Sequence, residues 1–192
     1  MNTLPVETYP QRLRAYYLVV LASISRDNGE IRPDTLAHLE QKIQKFQLTR
    51  NYRDRVIAAA RYGHNRLRRQ MNFLKETDLR YSLMLDALAL AVTSGELPPE
   101  KHEMMRRTAR TMGISEQLFR LLVDFAQAAH QSSHLPSLLP THDRAIQNLL
   151  DHLRQEQLPL LSCSTFCALS SENDARLRQR LLGMSHAAKG QG

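Results

Sequence analysis

The strongest constraint on how this chain folds is that one stretch of it occurs twice. Two of its seven glycines stand in matching phrases, RDNGEIRPDT around Gly29 and TSGELPPEK around Gly95, an offset of 66 residues. Carried in both directions without a gap, that offset pairs Leu13 with Leu79, Arg14 with Arg80, Glu30 with Glu96, Pro33 with Pro99, Ala60 with Ala126 and His64 with His130. Identity is low, but apolar positions meet apolar positions: Ile31 and Leu97, Leu39 and Met105, Phe46 and Met112, Leu48 and Ile114, Val56 and Leu122, Ile57 and Val123. Residues 13–64 and 79–130 read as one unit used twice within a domain over 1–131.

Apolar residues recur at three- and four-residue spacing between turn signals, so each copy is expected to form three helices. In the second copy the first helix carries Leu83 and Leu90 and is expected to stop at Ser94-Gly95, where glycine accepts the left-handed conformation. Pro98 and Pro99 then open the middle helix, where a missing N–H costs little. That helix carries Met105 and Ala109 and ends near Gly113. Ser115 is placed to cap a third helix through Leu118, Leu122, Phe125 and Ala129. In the first copy Thr49 takes the place of Ser115, and Asp34 lies in the first turn of the middle helix, where its charge suits the dipole.

The pattern breaks after His130. QSSHLPSLLP, with Pro136 and Pro140, reads as a linker over 132–140. A helical extension over 141–184 comes next, opening with Ile146, Leu149, Leu150 and Leu153 on one face. The last residues, 185–192, read as a disordered tail. The expected fold is therefore all-α: a bundle of two duplicated three-helix units plus a C-terminal helical extension.

Composition sets the kind of core and narrows the function. With 42% hydrophobic residues, 6% aromatics and no Trp, the core is aliphatic. Cys163 and Cys167 share a face if their stretch is helical and bridge no distant segments, so they read as reduced thiols rather than a disulfide framework or half a zinc site. No apolar run approaches the ~20 residues of a membrane span, and MNTLPVETYPQRLR lacks the regions of a signal peptide, which makes a cytoplasmic location the expectation. The 26 Lys and Arg against 19 Asp and Glu give +7, which brings acidic proteins, nucleic acids and anionic surfaces into view together.

DNGEI invites a calcium-loop reading, but the ligands are missing. With Gly29 at loop position six, the first, third and twelfth positions fall on Ile24, Arg26 and Thr35, and in the second copy on Leu90, Val92 and Lys101. The junction of the second copy with its flanking helices, LMLDALALAVTSGELPPEKHEMMRRTARTMGIS, resembles the TerB-like family, named for tellurite resistance, whose hallmark is an apolar helix ending in Asp-Gly, a short turn and a glutamate. The resemblance is best over 79–130 and reaches 13–64 through the duplication. It implies an all-helical fold with an internal repeat, a bacterial setting linked to stress response, and, in some members, acidic junctions that hold a divalent metal. Here the hallmark aspartate falls on Asn28 and Ser94 and the hallmark glutamate on Thr35 and Lys101, so the scaffold is expected without a tight metal. The metal reading that stays open uses Asp27, Glu30 and Asp34, or Asp86, Glu96 and Glu100.

Asp86 lies inside an apolar run and is expected either to pair with a cation such as Arg80 or to reach the surface. His64 and His130 are expected at the end of the third helix of each copy. No nucleophile motif, phosphate-cradling glycine loop or His-Glu-x-x-His spacing appears, and His134, His142 and His152 have no acid to orient them, so neither catalysis nor a cofactor is expected.

The remaining feature is arginine density: Arg50, Arg53, Arg55, Arg61, Arg66, Arg68 and Arg69, with Tyr52, Tyr62 and His64 interleaved. On a helix Arg50, Arg53 and Arg61 fall together with Arg68 close by. The stripe reads either as a solvated flank opposite Val56, Ile57 and Ala60 or as a partner-binding face that pairs acidic groups bidentately. The expectation is a non-enzymatic adaptor that docks an acidic protein surface through Arg50, Arg53, Arg61 and Arg68. Nucleic-acid binding by the same arginines is the alternative.

Overall fold

A computed structural model describes residues 6–92, 96–134 and most of 144–156. It is all-α: among the described residues, a 3-10 turn at Val6–Thr8 precedes α1 (Gln11–Ile24), α2 (Pro33–Lys45), α3 (Arg50–Tyr62), α4 (Leu67–Lys75), α5 (Leu79–Ala91), α6 (Pro99–Thr111) and α7 (Glu116–His134). No described helix is long and apolar enough to cross a membrane.

The two first helices form the centre, because they are apolar nearly all round. α5 buries every residue from Leu79 to Leu90 except Arg80, and α1 buries Tyr17–Ala22 without a break. They pack on each other, α3 covers α1, α7 covers α5, and α4 touches α1, α5 and α6. Leu39, Phe46, Val56, Met105, Met112 and Leu122 join them in one continuous core.

Helix bounds recur at the sequence offset. Pro33 and Pro99 each open a 13-residue helix, and Arg50 and Glu116 open the helices that succeed them. α2 and α6 also end alike. At α6, Ile114 N–H reaches Ala109 C=O and Gly113 N–H reaches Arg110 C=O, with Gly113 at φ 70°. At α2, Leu48 reaches Ile43 and Gln47 reaches Gln44, with Gln47 at φ 48°. Both are left-handed helix ends of the Schellman type, in which the reversed residue satisfies carbonyls that the helix leaves open.

Several local expectations are corrected. α5 ends at Ala91, before Ser94-Gly95, which lie outside the described residues. In the first copy the glycine does not stop the helix either. α1 ends at Ile24, and Asn28 and Gly29, both with positive φ, form a tight mirror-image turn closed by Asp27 and Glu30 backbone bonds of 2.6 and 2.8 Å. Ser115 Oγ does accept from Leu118 N–H, at 3.2 Å, but Thr49 occupies the cap position of α3 without a side-chain bond. α7 continues to His134, so His130 lies inside the helix, while His64 lies just beyond the end of α3. The helical stretches within 144–156 bury Ala145, Leu149 and His152. The expected linker beyond His134, the rest of the extension, Cys163, Cys167 and the tail fall outside the described residues.

Candidate docking surface

The arginine-rich segment does not form one helix. Gly63 closes α3 with φ 74° and ψ −175°, a conformation open essentially to glycine alone, and the chain restarts at Leu67. An added Cβ at Gly63 would run into the Arg26 guanidinium. The break divides the arginines between two helices and two directions.

One direction is the outer flank of α3. Arg50, Asp54, Ile57 and Arg61 succeed one another at three- and four-residue spacing, with Arg53 next to Asp54, and make one stripe. The three arginines are exposed, but so is Asp54 in their midst. Arg68 is not part of this stripe. It is exposed on α4, on the far side of the Gly63 break.

The other direction faces a groove of about 800 Å³ between α1, α3 and α4. Tyr52, Arg55 and Tyr62 come from α3, His64 and Arg66 from the connection, Arg69 and Gln70 from α4, and Tyr16 from α1. No carboxylate lines it. Two lining residues also make contacts beside the groove: Tyr16 lies on Phe73 at 5.4 Å and 28°, with Arg12 5.3 Å from the centre of the first ring and 5.1 Å from the second, and Arg69 is 5.9 Å from Phe73. Arg55 is 5.8 Å from the Tyr52 ring. Guanidinium planes held on aromatic faces stay charged and keep their edges free to donate. Arg12 also donates to Tyr16 Oη at 2.7 Å, which with the phenol's charge raises its already high pKa. Gln70 Nε2 lies 2.6 Å from His64 Nε2, fixing the imidazole at the groove wall.

Charge sharpens the contrast between the two halves. From Arg50 to Lys75 there are eight basic side chains against Asp54 alone, an excess equal to the whole chain's formal +7. None of the arginines between 50 and 69 meets a described carboxylate within ion-pair distance. In α6 and α7 the opposite holds. Glu103 takes Arg106 and Arg107 at 3.0 and 2.9 Å, and Glu116 lies within 4 Å of Arg106, Arg110 and Arg120. The Arg107 hydrogen bond, reinforced by Arg106, holds the Glu103 carboxyl below its usual range. At the offset of 66, Glu116 stands where the first copy has Arg50.

Asp86 is buried, and its partner is not Arg80. Lys42 Nζ reaches its Oδ2 at 2.8 Å and Tyr17 Oη donates to the same oxygen at 2.5 Å, joining α5 to α2 and α1. Arg80 turns instead to Lys75 C=O and Tyr81 Oη. Asp86 is therefore held apart from the exposed Glu96 and Glu100. At the first junction the Lys101 ammonium donates to Arg26 C=O and lies 3.6 Å from Asp27, placing a fixed cation among the carboxylates that a metal would need. Among the described residues no three His, Cys, Asp or Glu side chains gather as a metal would require.

The arginines and interleaved rings of 50–69 that the sequence singles out include Tyr52, Arg55, Tyr62, His64, Arg66 and Arg69 of this groove. Arg12, Tyr16 and Phe73 leave no such sign, because they lie outside that stretch. Comparison with protein-family models, curated proteins and solved structures finds no match to this chain.

Proposed function

We propose that this protein is a non-enzymatic helical adaptor that docks a polyanionic partner in the groove between α1, α3 and α4. The observation that carries the reading is a contrast in pairing: the arginines of α6 and α7 share Glu103 and Glu116 as ion-pair partners, whereas Arg55, Arg66 and Arg69 line a groove without a carboxylate. An unbalanced basic groove costs folding energy through self-repulsion and raises the local concentration of anions, so it suits binding better than support. The outer stripe of Arg50, Arg53 and Arg61 extends the same positive field, but Asp54 dilutes it, which makes the stripe a secondary contact.

Anisotropy titrations of labelled polyglutamate and polyphosphate chains at low salt test this. Replacing Arg55, Arg66 and Arg69 together by Ala is expected to weaken binding by tenfold or more. The matching change at Arg50, Arg53 and Arg61 is expected to cost less. Equal losses, or unchanged binding in the groove variant, would move the site to the stripe, and no binding by either chain would end the polyanion reading.

A further inference from the structure

We propose that the groove takes single-stranded nucleic acid, with backbone phosphates against Arg55, Arg66 and Arg69 and bases stacked on exposed rings, Tyr62 first among them. This rests on the polyanion reading above and names its ligand.

Charge alone does not account for the surface. Tyr62 is 79% exposed and Phe73 39%, the two most exposed large apolar side chains described. Neither degree of exposure serves the core, and both rings lie among arginines rather than on an apolar patch. Flat rings interleaved with guanidinium groups match a ligand that alternates flat faces with anionic links, which is the chemistry of a nucleotide strand. A run of carboxylates satisfies the arginines and leaves the rings unmatched. A duplex hides the faces of its bases and offers only its phosphates, and the groove presents no helix shaped to enter a major groove.

The groove is also prepared for such a strand. Tyr16 in its lining is already held by Phe73 and Arg12, which lie beside the groove, so little freedom of that ring is lost when a base lands next to it. Gly63, which no other residue replaces without strain, turns the chain so that Tyr62 at the end of α3 and Arg66 before α4 line the same opening. Tyr62 sits at the rim, where an arriving base meets it first.

Fluorescence anisotropy on the full chain, with a labelled oligothymidylate of about 12 nucleotides, a duplex of equal length and polyglutamate, tests the assignment. Single strand is expected to bind tighter than duplex. Neutralising about three phosphates gives a slope of log K against log salt near −2. Tyr62→Ala is expected to weaken the single strand by about fivefold to a hundredfold, leave polyglutamate unchanged, and be rescued by Tyr62→Phe. Because Tyr62 is exposed, its thermal unfolding midpoint should not move. Equal affinity for duplex and single strand, or a silent Tyr62→Ala, overturns the nucleic-acid assignment. Polyglutamate binding alone, lost in the Arg55, Arg66, Arg69 variant, also overturns it but leaves the adaptor reading standing. No binding to any of the three overturns both.

Discussion

Asp86 is 1% exposed and Lys42 5%, in a core dominated by aliphatic side chains with Tyr17, Phe46, Phe119 and Phe125 among them. Such a pair adds little net stability, since desolvation of both charges offsets their attraction, but removing one partner strands the other. Lys42→Met is therefore expected to lower the unfolding free energy by about 3–5 kcal/mol, and Lys42→Met with Asp86→Leu to recover most of it. Urea unfolding measures both; a loss below about 1 kcal/mol in the single variant would mean that Asp86 finds water or another donor. His38 stands near this pair, with Nε2 buried and without a hydrogen-bond partner. Burial, then the Lys42 charge, lowers its pKa below 6.5, only partly opposed by Asp86. The folded state thus refuses a proton that the unfolded chain accepts. Stability from this group is complete above pH 6.5 and falls as the pH drops toward the folded-state pKa. His38→Met is expected to flatten the decline of the urea midpoint between about pH 7 and pH 5; an unchanged decline would assign it to other groups.

At the scale of elements, the helix ends are more alike than the helices. Gln47 and Gly113 hold the same place in two Schellman ends, yet one carries a side chain where the backbone is left-handed. That conformation costs an ordinary residue about 1–2 kcal/mol. Gln47→Gly removes the strain while adding unfolded-state freedom, so a net gain of roughly 0.5–1 kcal/mol is expected. Gly113→Ala runs the other way by about 1 kcal/mol, since the new Cβ also lies 3.2 Å from Lys75 Cε. Thermal unfolding of the two variants checks the pair, and shifts of the same sign would count against the strain argument. α4 has no counterpart among the described residues after α7, and it is α4 that, with α1 and α3, closes the groove.

Across the whole molecule the halves brace one another with cations. Arg32 donates to Leu90 C=O at the end of α5, and Lys101 reaches Arg26 C=O just past the end of α1. Positive groups at helix C-termini meet open carbonyls and the negative end of the dipole, so these contacts tie the two central helices without burying further apolar surface. The acids are distributed unevenly. Glu103 and Glu116 pair the arginines of α6 and α7, while α3 and α4 stay basic with Asp54 as their one acid.

Periodicity is enough to read most of the helices, the apolar positions that meet in the core and the proline-led starts of α2 and α6, because each depends on residues a few positions apart. The same local signals misplace the end of α5 and set Arg68 beside the stripe of Arg50, Arg53 and Arg61. There the outcome turns on how Gly63 packs against Arg26 and on where α4 lies, neither of which leaves a periodic trace. The partner of Asp86 obeys the same rule: the sequence leaves it either a cation or the surface, and only the tertiary structure buries it against Lys42 rather than the nearer Arg80. The opening of the groove toward α1, and the ring stack beside it, are tertiary products. Arg12 and Tyr16 stand more than fifty residues before Phe73, and their stacking exists because α4 folds back on α1, a contact set by burial of Met71 and Leu74 rather than by the residues that form the surface.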